Sequence, residues 1–245
     1  MKRIFFLLLF LSVICGILFS QSFDEAERLK KGDLSLLSEN LTELALAKMN
    51  NTELRLLRNM IYAGHGHIFN SQDLTDFYLK FEWYKPAKKL SDNQLTENEL
   101  ILIKRILTFE TRDEKLSPLE FGNEIIGIWH ITPVMPATWA ERFVIYPENK
   151  IDYLESNFKQ DAEISEYIGH YEIKGNTLCF YAEKLLKQKE LIALSEPLIF
   201  KFPVTAVSEI SFFDGELIRK MIKIGSWEYY LFYDNPRLIY SQSRQ

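Results

Sequence analysis

Hydrophobic and polar positions divide this chain into three regimes. Ile4 to Phe19 is an almost unbroken apolar run behind Met1-Lys2-Arg3, followed by Ser20-Gln21-Ser22 and the acidic Asp24-Glu25. From Phe23 to about Glu114, apolar residues recur at helical spacing and β-branched residues are few. From about Phe121 to Tyr240, short apolar and polar stretches alternate between frequent turn signals. The polar, proline-bearing segment Asp113-Glu114-Lys115-Leu116-Ser117-Pro118 separates the last two regimes.

In the helical regime, Asn50-Asn51-Thr52 predicts the start of a helix running to about Ala63. Leu54, Leu57 and Ile61 form its apolar stripe. Gly64 and Gly66 are placed to stop it, because glycine adopts the left-handed cap conformation without a Cβ penalty. Ser71-Gln72-Asp73 predicts a second, short helix with Leu74, Phe77 and Tyr78 inward, in a unit that Pro86 ends. Thr96-Glu97-Asn98-Glu99 is a capping box that opens a third helix, with Leu100, Ile103, Ile106 and Leu107 on its inner face. Asp24 to Lys48 is also read as helical.

The later regime changes period. Arg142 to Pro147, Lys150 to Glu155, Tyr167 to Ile173 and Leu178 to Tyr181 read as strands. Glu148-Asn149, Gly175-Asn176, Asp214-Gly215, Gly225-Ser226 and Asp234-Asn235-Pro236 are turn chemistry. Ala182 to Leu194 fits either a helix or a strand with a loop. The pattern predicts an α+β chain. A leader occupies 1–22, a small helical domain 23–114, and an antiparallel β meander or barrel-like domain 119–245.

The basic start, apolar run and small polar residues have the tripartite layout of a secretory signal peptide. The run is short for a membrane span, which needs about 20 apolar residues. An uncleaved anchor and lipidation at Cys15 are the alternatives, and membrane contact is expected only through this segment. Export to the periplasm or the cell exterior is therefore expected. Removal of the leader would leave about 225 residues, enough for one large or two small domains. The formal charge of -5 becomes -7 once Lys2 and Arg3 are removed, which is not a nucleic-acid-binding balance. Outside the leader Cys179 is the single cysteine, so neither an internal disulfide nor a cysteine zinc array is expected.

Candidate chemistry is sparse. His65 and His67 flank Gly66, but a zinc site needs three or four ligands, so no metal site is expected. Arg58, Tyr62 and His65 are spaced to line one helical stripe, and Trp83 and Tyr84 are near enough in sequence to fold back towards it. Aromatic faces beside a guanidinium and an imidazole suit sugar rings or anionic groups. These five residues are the candidate ligand-binding set, and burial as ordinary core is the competing reading for the aromatics. No nucleophile elbow, metalloprotease motif or phosphate loop occurs, and no catalytic residue or cofactor is indicated. The aromatic-rich β region, with Trp129, Phe143, Tyr153, Phe180 and Tyr229 among others, fits a thick core or the lining of a ligand cavity.

Five blocks recur in the order of one known family. They are Leu54 to Asn59, Ile61-Tyr62-Ala63-Gly64-His65-Gly66, Ile68-Phe69, Trp83-Tyr84-Lys85-Pro86 and Leu95 to Glu99. Over about residues 41–109 the chain resembles the YARHG domain of exported bacterial proteins. The resemblance implies an extracellular module associated with the cell wall. Gly64 stands where the family motif carries arginine. If that arginine binds ligand, this copy lacks the contact; if it lies on the surface, the loss is mild. The expected function is non-enzymatic recognition of peptidoglycan or of an envelope protein. The alternative is a lipocalin-like small-ligand carrier built on the β domain.

Overall fold

The computed structural model describes residues 25–39, 41–121, 123–134, 140–155, 165–215 and 217–236. The leader, Cys15 and Trp139 lie outside these residues. Among the described residues no helix is long and apolar enough to cross a membrane. The chain divides into two compact units, Met1–Leu107 and Thr108–Gln245.

The first unit is helical. Its elements are α1 (Glu25–Lys30), α2 (Glu43–Lys48), α3 (Asn51–Gly64), α4 (Gln72–Tyr78) and α5 (Glu97–Glu110), with 3-10 turns at Leu34–Leu37 and Asp92–Gln94. The unit boundary falls in the last turn of α5. Asp24 to Lys48 is not one continuous helix. Gly32 breaks it at φ +71°, and a Cβ there would lie 2.5 Å from the Phe81 ring. Leu29, Leu36, Leu46, Leu54, Leu57, Met60 and Ile106 make the core. Glu43 is buried inside it and receives the Arg105 guanidinium at 2.9 Å, while Arg105 also donates to the Leu41 carbonyl. On α5 the inner stripe is Leu102, Ile103 and Ile106 rather than one that includes Leu107, which is exposed. Leu102 and Leu107 lie equally far round the helix from Ile103 and Ile106 taken together, and buried Phe109 extends the stripe on the Leu102 side.

The second unit is a nine-stranded antiparallel sheet of order β6-β5-β4-β3-β2-β1-β9-β8-β7. Its strands are β1 (Gly127–His130), β2 (Arg142–Ile145), β3 (Lys150–Glu155), β4 (Ser165–Lys174), β5 (Thr177–Lys187), β6 (Glu190–Pro203), β7 (Ser208–Phe212), β8 (Leu217–Ile224) and β9 (Trp227–Tyr233). The ambiguous stretch from Ala182 to Leu194 is the β5–β6 hairpin. It turns at Gln188 and Lys189, both at positive φ, without the Asn-Gly or Asp-Gly pair that usually announces such a turn. At Gly169 β4 bulges against β5, and a Cβ there would overlap the Tyr181 carbonyl.

The sheet curls until its ends touch at one place. Val204, just after β6, forms an isolated bridge with Ile224 of β8. The Gly225 amide donates to the Pro203 carbonyl at 2.9 Å, and the Thr205 amide to that of Lys223 at 3.1 Å. No continuous ladder joins β6 to β7, so the described sheet is not closed. The closed barrel that a lipocalin-like carrier needs is therefore not formed. Long β5 and β6 pair far past the contact point, whereas β7 is short, so the two ends cannot zip along their length.

One face of this sheet is an aromatic core. Phe143 sits at its centre, 4.5 Å from Tyr153, 5.0 Å from Tyr229 and 5.5 Å from Phe202 between ring centroids. Trp129, Phe143 and Tyr153 are directly opposed in register and fully buried. Glu141 is buried against this core and accepts from the Tyr229 hydroxyl. Phe109 and Arg112 belong to the same unit. Phe109 meets Phe202, and Arg112 donates to the Lys201 carbonyl at 2.7 Å.

The opposite face of β1–β4 carries polar groups. Register places His130 against Arg142, Arg142 against Leu154 and Leu154 against Glu166, so all share one face. Asp152 lies on the same face, buried, and accepts from the Tyr146 hydroxyl at 2.7 Å. Burial, and next to it the Asp152 carboxylate, push the Glu166 carboxyl up, opposed by Arg142. His130 is 3% exposed, and its Nδ1 has no hydrogen-bond partner among the described residues. Burial, with the Arg142 charge adding to it, holds its pKa down to about 4.

That depression fixes the sign of a pH effect. An unfolded histidine, with a pKa of about 6.5, takes up a proton before folded His130 does, so folding loses free energy as pH falls from about 6.5 to about 4. The loss attributable to His130 is on the order of 3 kcal/mol. In His130→Gln this component is absent. Urea unfolding of both proteins at pH 7.5 and 4.5 checks it: the stability gap between them should shift in favour of the variant at the lower pH, and an unchanged gap would refute the assignment.

Candidate functional site

The Tyr62-Ala63-Gly64-His65-Gly66 motif is a helix end. At the other end of α3, the Asn50 side chain accepts from the Glu53 amide and the Glu53 carboxylate from the Asn50 amide, both at 3.0 Å. This capping box sets the helix start. At its C-terminus His65 is the cap residue and Gly66 follows at φ +76°. The Gly66 amide donates to the Ala63 carbonyl at 2.9 Å and the His67 amide to that of Tyr62 at 3.1 Å. That pair of bonds is the Schellman motif. Gly64 is not the stop; it is the last helical residue. A Cβ on Gly64 would meet only Leu34 Cδ2, at 3.8 Å, whereas one on Gly66 would lie 2.7 Å from the Lys85 carbonyl oxygen.

The close approach at Gly66 anchors a second segment. The Gly66 carbonyl accepts from the amides of Ala87 and Lys88, and the Ile68 amide donates to the Lys88 carbonyl. The His67 carbonyl accepts from the Tyr84 hydroxyl at 2.7 Å, and His67 Nδ1 accepts from the Leu90 amide at 2.8 Å. His67 is thus a neutral acceptor and not a loose surface residue. Burial, then the charge of Lys89, lower its pKa. Phe69, Tyr78, Trp83 and Tyr84 pack their rings together, with Phe69 stacked on Tyr78 at 5.3 Å. Arg55 ties α4 to α3 through Asp73 and Ser71, and the Tyr78 hydroxyl donates to the Leu56 carbonyl.

The five candidate residues separate into two groups. Tyr84 is 3% exposed and belongs to the ring cluster. Trp83 is half-buried, stacks on Phe81 at 5.6 Å and donates its indole N–H to the Gly32 carbonyl at 2.8 Å. Arg58, Tyr62 and His65 remain towards the surface on α3 and its cap. The Tyr62 hydroxyl donates to Asp92 at 2.8 Å; burial first, and Asp92 second, push its pKa up to about 12. His65 Nε2 lies 2.7 Å from Glu99 Oε1. The other oxygen of that carboxylate closes the capping box on the Thr96 amide and hydroxyl, both at 2.8 Å.

Sequence reasoning found Glu99 as a cap but not as the partner of His65, and it missed Asp92. Partners thirty or more residues away leave no local signal. His65 and His67 use their ring nitrogens on separate partners. Among the described residues no group of three or more histidine, cysteine or acidic side chains is placed to hold a metal ion.

A set of short helices, locked by a glycine C-cap and a returning aromatic segment, defines a small helical module. Residues 33–111 match the family model of the YARHG domain, so the chain carries a YARHG domain, a module found in exported proteins. The region beyond it matches no family model. No curated protein and no solved structure is significantly similar to the chain.

The two glycines of the motif give a paired test. Gly66→Ala is expected to destabilise the protein by about 2 kcal/mol or more, because alanine is strained at this φ and crowds the Lys85 carbonyl. Gly64→Arg, which restores the family's residue, is expected to be neutral or to stabilise by about 0.5–1 kcal/mol, since it replaces glycine in an open helical position. Thermal unfolding followed by far-ultraviolet circular dichroism separates the two outcomes.

Proposed function

We propose that this is an exported envelope protein whose YARHG unit is a non-enzymatic binding module. Its target is a cell-wall component, peptidoglycan first, and an envelope protein is the other partner of the same kind. The observation that carries this reading is the surface stripe of Arg58, Tyr62 and His65. Tyr62 and His65 are fixed by Asp92 and Glu99 on the outside of a rigid knot whose interior Tyr84 and the neighbouring rings fill. A guanidinium, a phenol and an imidazole held in place suit hydroxyls, amides and carboxylates of a polymer, and fixing them beforehand lowers the entropy cost of binding. Each of these groups has a structural partner, which favours recognition over proton transfer.

Purified protein incubated with peptidoglycan sacculi and pelleted should partition into the pellet. The triple substitution Arg58→Ala, Tyr62→Ala, His65→Ala should leave it in the supernatant while its circular dichroism stays that of a folded chain. Wild-type protein that remains in the supernatant would argue against direct wall binding.

A further inference from the structure

We infer that the loop Lys85-Pro86-Ala87-Lys88-Lys89 is a binding site for phosphate groups, presented by the knot described above. This deepens the proposed function by giving its ligand a charge. The carrying observation is a cluster of cations. Elsewhere in the helical unit Arg28 pairs with Asp33 and Glu39, Lys30 with Glu27 and Glu53, Arg55 with Asp73, and Arg105 with Glu43, while Lys31 stands singly and Lys80 lies over the Phe77 ring. Lys85, Lys88 and Lys89 are all exposed, and no side-chain amine among them has a carboxylate or hydrogen-bond partner among the described residues. Of the acids flanking the loop in sequence, Asp92 is engaged by the Tyr62 hydroxyl and Glu82 is exposed.

The loop is not a floppy charge run. Its backbone is held by Gly66 and Ile68, and Leu90 just beyond it by the His67 ring. Four residue steps limit the Lys85–Lys89 Cα separation to about 14 Å. The three lysine Cα atoms are therefore held within less than two screening lengths, each about 8 Å at physiological salt. The field of Lys89 already reaches His67 and helps to lower its pKa. A fixed, uncompensated cationic patch of this size attracts polyanions, and an arriving phosphate relieves the mutual repulsion. Lysine binds phosphate as a point charge and needs no bidentate geometry, so a phosphodiester polymer fits better than one defined sugar.

The test uses the full chain, long-chain polyphosphate as probe, and titration calorimetry at 50 and 200 mM salt. Three phosphate contacts predict a fall in affinity of about 20-fold over that range, by counterion release. Lys85→Gln with Lys88→Gln and Lys89→Gln should abolish binding, while Lys30→Gln, which removes a paired lysine, should leave it unchanged. Phosphatidylglycerol vesicles form the second arm: binding to vesicles but not to polyphosphate would keep the phosphate chemistry and assign its source to a lipid headgroup. No binding to either probe, or equal binding by the triple variant, overturns the inference. Sedimentation with sacculi without polyphosphate or vesicle binding would leave the wall-binding reading standing alone. Polyphosphate binding without sedimentation would do the reverse.

Discussion

The helical unit depends on one close approach. Gly66 passes so near the Lys85 carbonyl that no side chain fits between them, and it does so at a left-handed φ that glycine alone adopts cheaply. That contact ends α3, turns the chain, and brings residues 84–90 onto the segment 66–68. The ring cluster then closes over the join. Tyr84 donates to the His67 carbonyl and packs against Phe69 and Tyr78, so the aromatic part of the interior is assembled on a backbone junction, beside the aliphatic core that the helices supply. The helices are short, and α1, α2 and α4 have at most seven residues each. Helices of that length are marginal alone, so their stability comes from this tertiary packing.

The β unit solves a different problem. A long antiparallel sheet needs a covered face, and here the cover is the sheet's own curl. Phe143, Tyr153, Phe202 and Tyr229 converge from β2, β3, β6 and β9, and the ends meet at Val204 and Ile224. The second face is less ordinary, because β1 and β2 are buried on both sides. Arg142, Asp152 and His130 occupy positions where a half-exposed strand would place solvated residues. Buried ionic groups are a weak source of stability, and a row of them across several strands instead penalises register slips.

Local signals in the sequence were reliable where the physics is local. The capping boxes at Asn50 and Thr96, the stop after α3, and the turns at Glu148-Asn149 and Gly175-Asn176 each follow from one or a few neighbouring residues. The break at Gly32 is also local, a glycine stop in which the Gly32 amide donates to the Leu29 carbonyl and the Asp33 amide to that of Arg28; the distant part is the Phe81 ring that packs on it. The β5–β6 hairpin was hidden because Gln188 and Lys189 adopt positive φ without the residues that favour it. Of the candidate site, the Arg58-Tyr62-His65 stripe follows from helical spacing alone. Whether Trp83 and Tyr84 join it depends on how the chain returns, and the return puts Tyr84 inside and ties Trp83 to Gly32.

The letters of the motif thus describe how the module is held together and say little about what it holds. Tyr62 gives its carbonyl to the C-cap, Ala63 is buried, His65 reaches back to the capping box of α5, and Gly66 makes the junction. Gly64 is exposed and open to solvent, so the arginine it replaces is a surface residue and its loss leaves the junction intact. A motif whose members are spent on internal bonds can be shared by modules that recognise different partners. What differs between such modules then lies in what the junction displays, which here is the outer edge of α3 and the loop it pins. In this chain that loop gathers three exposed lysines within five residues, on a backbone that the junction holds in place.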